Sequence, residues 1–246
     1  MKKPVSILFE DKNLLVVNKP AGIVVQGARD SEISLLKTLK DFIKRRDQKE
    51  GGVFLAVVHR LDKPVSGALV LAKRTKAAKR ISEAFRQKEV IKLYVAEVEG
   101  SLKGQSLIKT YLKWDQKAKK ALVFEEHQEG AKESLTYYEV LECRKKRSLV
   151  LLFPITGRKH QLRAVLSYLG FPIVGDVRYG AKTLVLKGKA IGLHACFLRF
   201  PHPITKEPLE FLAPFPEYFS LGNLDKTLNL GFFNKKFEAL KNFYKE

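Results

Sequence analysis

Residues 54–72 read Phe-Leu-Ala-Val-Val-His-Arg-Leu-Asp-Lys-Pro-Val-Ser-Gly-Ala-Leu-Val-Leu-Ala, two apolar runs on either side of a polar turn. The runs Phe54 to Val58 and Ala68 to Ala72 have the length and β-branched content of strands. Between them, Pro64 fixes one backbone dihedral and removes a donor, and Gly67 tolerates positive φ. Asp62 is therefore expected on a constrained turn at a sheet edge, with His59 and Arg60 beside it. Such a turn can preorganise a reactive carboxylate. On this stretch alone, a turn-capping Asp with solvated neighbours is the simpler reading.

Working outward, Ile7 to Phe9 and Leu14 to Val17 read as a hairpin around Glu10-Asp11-Lys12-Asn13, stopped by Asn18-Lys19-Pro20-Ala21-Gly22. Apolar residues at 35, 36, 39, 42 and 43 give a helical stripe. Thr75 is expected to cap a second helix with Ala78, Ile81 and Phe85 on one face. Lys92 to Val98 alternates as a strand. Strand pairs follow over 106–124 and over 134–153, each around a basic turn. Thr156-Gly157 opens a helix with Leu162, Val165, Leu166 and Leu169 as the buried stripe, His160, Arg163 and Ser167 on another face, and Gly170 as its stop. Residues 192–200 form a further strand. Phe233, Phe237, Leu240 and Tyr244 fall at helical spacing among lysines. Short connections between adjacent strands predict an α+β fold with a mixed, mostly antiparallel central sheet, flanking helices and a basic cleft. The expected organisation is one catalytic domain over 1–246, with 218–246 a basic helical tail packed on it or appended to it.

Lys and Arg outnumber Asp and Glu by 46 to 26, a formal charge of +20, which favours a polyanionic partner by phosphate neutralisation. Nucleic acid is the first such partner. No stretch approaches the roughly 20 apolar residues that span a bilayer, and no secretory leader follows Met1, so a cytoplasmic protein without membrane association is expected. Cys143 and Cys196 are too few for a disulfide framework. The five histidines, at 59, 127, 160, 194 and 202, lack metal-ligand spacing. Neither a dinucleotide fingerprint nor a P-loop occurs. A reaction without cofactor or metal is the expectation.

His59-Arg60-Leu61-Asp62, followed by Ser66-Gly67 and Ala72-Lys73, resembles the catalytic loop of the RluA-type pseudouridine synthases. Four other stretches carry the same resemblance. They are Glu10-Asp11 through Asn18-Lys19-Pro20-Ala21-Gly22, Lys92-Leu93-Tyr94, Thr156 to Arg163 with Gly175-Asp176 and Tyr179-Gly180, and Leu193-His194-Ala195 with the close near Pro214. Spaced motifs in order, here from residue 6 to residue 217, are far more specific than one short pattern. The resemblance implies the pseudouridine synthase fold and the isomerisation of specific uridines in structured rRNA or tRNA, with base flipping. It implies Asp62 as the catalytic carboxylate, Tyr94 as the active-site tyrosine and Arg163 as the arginine that pairs with that carboxylate. Arg60 matches the residue that helps expel the target uridine. His59, Lys19, Lys73 and Lys159 are candidate RNA contacts, His59 being equally a loop histidine bonded to backbone. Many relatives carry an acidic residue and Thr where this chain has Pro64-Val65. The first motif opens at Glu10, so no separate S4-type domain is expected ahead of it. A monomer with no obligatory protein partner is expected. The alternative is a noncatalytic RNA-binding or ribosome-assembly protein of the same fold.

Overall fold

Leu14 to Val17 and Ala68 to Ala72 are uninterrupted apolar runs, and all nine residues are buried. Burial on both faces removes the polar alternation of a half-exposed strand. The computed structural model describes residues 5–27, 33–219 and 228–241. Two compact units emerge, Met1–Ile91 with Ala195–Pro214, and Lys92–His194 with Phe215–Glu246.

In the first unit, β1 (Ser6–Glu10) pairs antiparallel with β2 (Leu14–Lys19), and β2 pairs antiparallel with β4 (Ser66–Ala72). The two-residue β3 (Ala56–Val57) is added to β4, much shorter than the apolar run 54–58 suggests, and Phe54 is half exposed. β10 (Leu193–Pro201) lies beside β4 and pairs antiparallel with β11 (Pro208–Leu212). Asp11 ties the first hairpin, its Oδ1 accepting from the N–H groups of Asn13 (2.8 Å) and Leu14 (2.6 Å). α1 (Leu35–Arg46) buries Leu35, Leu39 and Ile43, and Ser34 caps it by accepting from Lys37 N–H. α2 spans Thr75–Arg86 and buries Ala77, Ile81 and Ala84. Thr75 is its first residue, and Arg74 holds the cap position without a side-chain bond to the helix, a one-residue correction to the expected start. Ile81 and Ala84 pack with Leu14, Val16, Ala68, Val70, Leu198 and Phe200.

Gly67 sits where β4 and β10 come closest. Its φ is +125°, and a Cβ there would lie 2.3 Å from the Ala195 carbonyl oxygen. Only glycine fits, so the residue behind the Asp62 turn is fixed by sheet packing.

The second unit carries the antiparallel order β5 (Ile91–Glu99), β9 (Arg147–Pro154), β8 (Lys132–Arg144), β6 (Gln105–Asp115) and β7 (Lys120–Phe124). A register shift between Val140 and Glu142 breaks the β8/β9 ladder. α3 begins at Gln161, four residues after Gly157, because His160 adopts the left-handed conformation at φ 56° and starts the helix only after it. α3 ends as expected at Gly170, whose φ is +86°. Its Ala164 packs with Leu112 and Ala121 of β6 and β7, and with Tyr179. α4 (Leu230–Leu240) is capped by Asn229 and buries Phe233 and Leu240. Tyr244 lies outside the described residues. The fold is α+β with a mixed, mostly antiparallel strand arrangement, as the short connections predict.

Candidate active site

The β2/β4 register sets Lys19 opposite Gly67 and Leu14 opposite Ala72, so the Asp62 turn rises from the Lys19 end. Val65 N–H donates to the Asp62 carbonyl (3.1 Å), closing the turn, with Leu61 and Val65 buried as its anchors. Gly22 N–H donates to the Lys63 carbonyl (2.8 Å), tying this turn to the segment after β2. Beneath both lies Lys19, fully buried, its Nζ donating to the carbonyls of Pro20 (2.9 Å), Ile23 (2.9 Å) and Lys63 (3.3 Å). An ammonium has three protons, and here each finds a carbonyl. Burial pushes the Lys19 pKa down to about 7, while the charge of nearby Asp62 pulls it back up. The half-buried Asp62 carboxylate thus stands on a loop pinned at two carbonyls, within electrostatic reach of a buried cation.

Arg60 is exposed next to this turn. His59 faces inward: Val70 N–H donates to its Nε2 (3.0 Å), which makes that nitrogen the unprotonated one, and its ring lies 4.8 Å from Phe85. Lys73 is at the other end of the β2/β4 pair. It bonds Glu10 (2.6 Å) and the Asp11 carbonyl (2.7 Å), and Arg46 closes on the same Glu10 from α1. Arg46 first, then Lys73, hold the Glu10 carboxyl down at about 2 against the opposing effect of burial.

In the second unit Tyr94 is a buried residue of β5, opposite Leu152 of β9. Arg163 is buried in α3, and its fork closes on Asp176, Nε to Oδ2 at 2.6 Å and Nη2 to Oδ1 at 2.8 Å. Its Nη1 lies 3.2 Å from His160 Nε2. Arginine can only donate, so Nε2 accepts and the proton of the neutral ring sits on Nδ1. Nδ1 then donates to Tyr179 Oη (3.0 Å), which also accepts from Ala121 N–H (2.8 Å). Ser167 donates to the Tyr179 carbonyl (2.6 Å), and the Arg163 guanidinium lies 5.0 Å from the Tyr179 ring centroid. One face of α3, residues 160, 163 and 167, is therefore built against Tyr179.

Gln161 holds the start of α3. Its amide donates to the Leu135 carbonyl and Thr136 Oγ1, and its oxygen accepts from Thr156 Oγ1 and Arg158 N–H. All four bonds of a buried amide are made, which rigidifies the turn carrying Lys159 and His160. Lys159 itself is exposed, its ammonium 3.2 Å from the centre of the Trp114 ring. The roles of Asp176, His160, Gln161 and Tyr179 in holding Arg163 are absent from the sequence reading. The available signal was three polar residues, His160, Gln161 and Arg163, within four positions just ahead of the apolar run Ala164 to Leu166. Among the described residues, no group of three or more His, Cys, Asp or Glu side chains is arranged to hold a metal ion, and no helix is long and apolar enough to cross a membrane.

Residues 13–168 match the family model described as RNA pseudouridylate synthase. A ribosomal large subunit pseudouridine synthase C of Buchnera aphidicola subsp. Schizaphis graminum is 36% identical over 226 residues, covering 87% of this chain and 68% of that protein. Its namesake in Pasteurella multocida is 36% identical over 214 residues, covering 85% of this chain and 64% of that protein. The solved structure of human RNA pseudouridylate synthase domain containing 1 superposes with a TM-score of 0.72 at 29% identity, covering 96% of each chain. The chain belongs to the RNA pseudouridylate synthase family. Within that family it is of the RluA type, an RNA-modifying isomerase.

Proposed function

We propose that the protein converts specific uridines of structured RNA to pseudouridine through Asp62. Ribosomal RNA is the favoured class, since the bacterial relatives are named for the large ribosomal subunit, with transfer RNA the other candidate. In this reaction the bond from uracil N1 to ribose C1′ breaks, the base rotates, and C5 bonds C1′. C5 then loses its proton and N1 gains one, so the step is redox-neutral. An ionised carboxylate supports cleavage of the glycosidic bond as nucleophile or charge stabiliser. The observation that carries this reading is the loop itself, where Asp62 is held on a turn pinned by Gly22 and by buried Lys19. A carboxylate so fixed need not be ordered during the reaction.

Tyr94 supplies an aromatic face for uracil and a hydroxyl for a proton in transit. Arg163, its fork aligned by Asp176 and His160, supplies a fixed positive charge. Arg60, exposed beside Asp62, enters the stack vacated by the flipped uridine. These three roles rest on the family resemblance. In the same proposal the chain acts as one catalytic domain, as a monomer in the cytoplasm. Mapping pseudouridines in ribosomal and transfer RNA of cells lacking this protein tests the function: loss of modification at defined uridines is expected, and an unchanged map would overturn it.

A further inference from the structure

Beside the start of α3, the second unit has a hollow of about 330 Å³, lined by Leu112, Trp114, Ala121, Lys132, Arg158 and Lys159 among others. Its floor follows from strand alternation. Leu112 and Trp114 point to one face of β6, and the register sets Ala121 opposite Trp114 and Lys132 opposite Leu112. Its rim is cationic. Arg158 gives only its Nε, to the Glu133 carbonyl (2.7 Å), and Lys159 lies over the Trp114 ring. Among the described residues, no carboxylate pairs with Lys132, Arg158 or Lys159. The contrast lies on the other face of the same strands, where Lys109 is paired with Glu133 at 2.9 Å. Elsewhere Lys73, Arg46 and Arg199 also have acid partners. An apolar aromatic floor under three unpaired cations fits a ligand with one flat ring and one phosphate.

We propose that this hollow is a second nucleotide subsite, which takes one unpaired nucleotide of the RNA other than the uridine that reacts. It rests on the reading of the protein as an RNA-modifying enzyme and adds a contact by which the substrate is chosen. The phosphate sits among Lys132, Arg158 and Lys159. Drawing the Lys159 ammonium from the indole to the phosphate exchanges a cation–π contact for a charge-assisted hydrogen bond and uncovers the ring for the base. Because Arg158 and Lys159 belong to the turn that Gln161 holds rigid, the bound nucleotide sets the register of the RNA against a fixed point.

Trp114 is the only tryptophan of the chain, so its emission reports this site alone. The full chain is titrated with uridine 5′-monophosphate, with single-stranded pentauridylate, with uridine and with inorganic phosphate. The nucleotide and the oligonucleotide quench saturably, while uridine and phosphate alone bind about tenfold more weakly or worse. The surface double variant Lys132→Gln/Arg158→Gln weakens quenching by the nucleotide about tenfold, and Asp62→Asn leaves it as in the parent. Unmoved emission, phosphate alone acting as well as the nucleotide, a double variant that titrates like the parent, or loss of quenching in Asp62→Asn each overturns the subsite. Quenching needs no turnover, so failure of the Asp62 reaction leaves this result standing, and the two readings fail separately.

Discussion

Arg163 and Asp176 form a bidentate ion pair in which both side chains are almost completely buried, 6% and 2% exposed. Removing one partner of such a pair leaves an uncompensated buried charge, which costs far more than the pair contributes against apolar replacements. Asp176→Asn keeps the shape and removes the charge. Thermal or urea unfolding should show a loss of about 3–5 kcal/mol. Arg163→Met/Asp176→Leu should recover most of that stability and none of the pseudouridine formation. If Asp176→Asn unfolds like the parent, the pair does not hold α3 as described.

His160 holds the third corner of Arg163, and the bond requires an acceptor at Nε2. His160→Gln can offer an oxygen there, and His160→Leu cannot. Neither is β-branched, and both carry a similar penalty for the left-handed backbone at φ 56°. Single-turnover rates at saturating RNA should fall about tenfold or more in His160→Leu and be substantially restored in His160→Gln. Equal rates in the two variants would reduce His160 to a backbone role.

Lys19 makes a different prediction from a surface lysine. In Lys19→Met the carbonyls of Pro20 and Ile23 lose this donor while that of Lys63 keeps Gly22 N–H, at about 1–3 kcal/mol for each group left unsatisfied. The variant should be less stable by several kcal/mol in urea unfolding and should lose turnover, because Lys63 carries the Asp62 turn. Retention of both would show that Lys19 does not hold the Asp62 turn.

The Glu10 carboxyl is held at about 2, below its ordinary 4.5, chiefly by Arg46. A depressed folded pKa contributes stability that is complete above about 4.5 and lost as pH falls from there through about 2. The parent should therefore lose stability across that window more steeply than Glu10→Gln, with the two curves converging at its acid end. Parallel curves in a denaturation series would show that Arg46 and Lys73 do not act on Glu10 in solution.

Much of this was legible in the sequence. The apolar runs around Asp62, the two basic hairpin turns and the helix stripes at 35–43 and 162–166 locate elements that the structure contains, because their periodicities are local. The spacing of His160, Arg163 and Ser167 marks a face, and that face packs on Tyr179. What could not be read was partnership. Nothing near Lys19 in the chain says that its ammonium is buried under Lys63, and Lys73 looks like any loop cation until the hairpin delivers Glu10 to it. Asp176 stands 13 residues from Arg163, and only the turn through Gly175 brings it back. The late start of α3 was equally hidden, since the left-handed His160 is held by bonds to Arg163 and Tyr179 that the local sequence does not show.

The central claim is that the Asp62 carboxylate performs the isomerisation, and Asp62→Asn tests it with almost no change in shape. Tritium release from 5-labelled uridine in ribosomal RNA transcripts, measured at saturating enzyme, follows the loss of the C5 proton directly. The account predicts that the variant binds the RNA like the parent and releases no tritium above the uncatalysed background. Release at the parental rate would contradict it and remove Asp62 from the reaction.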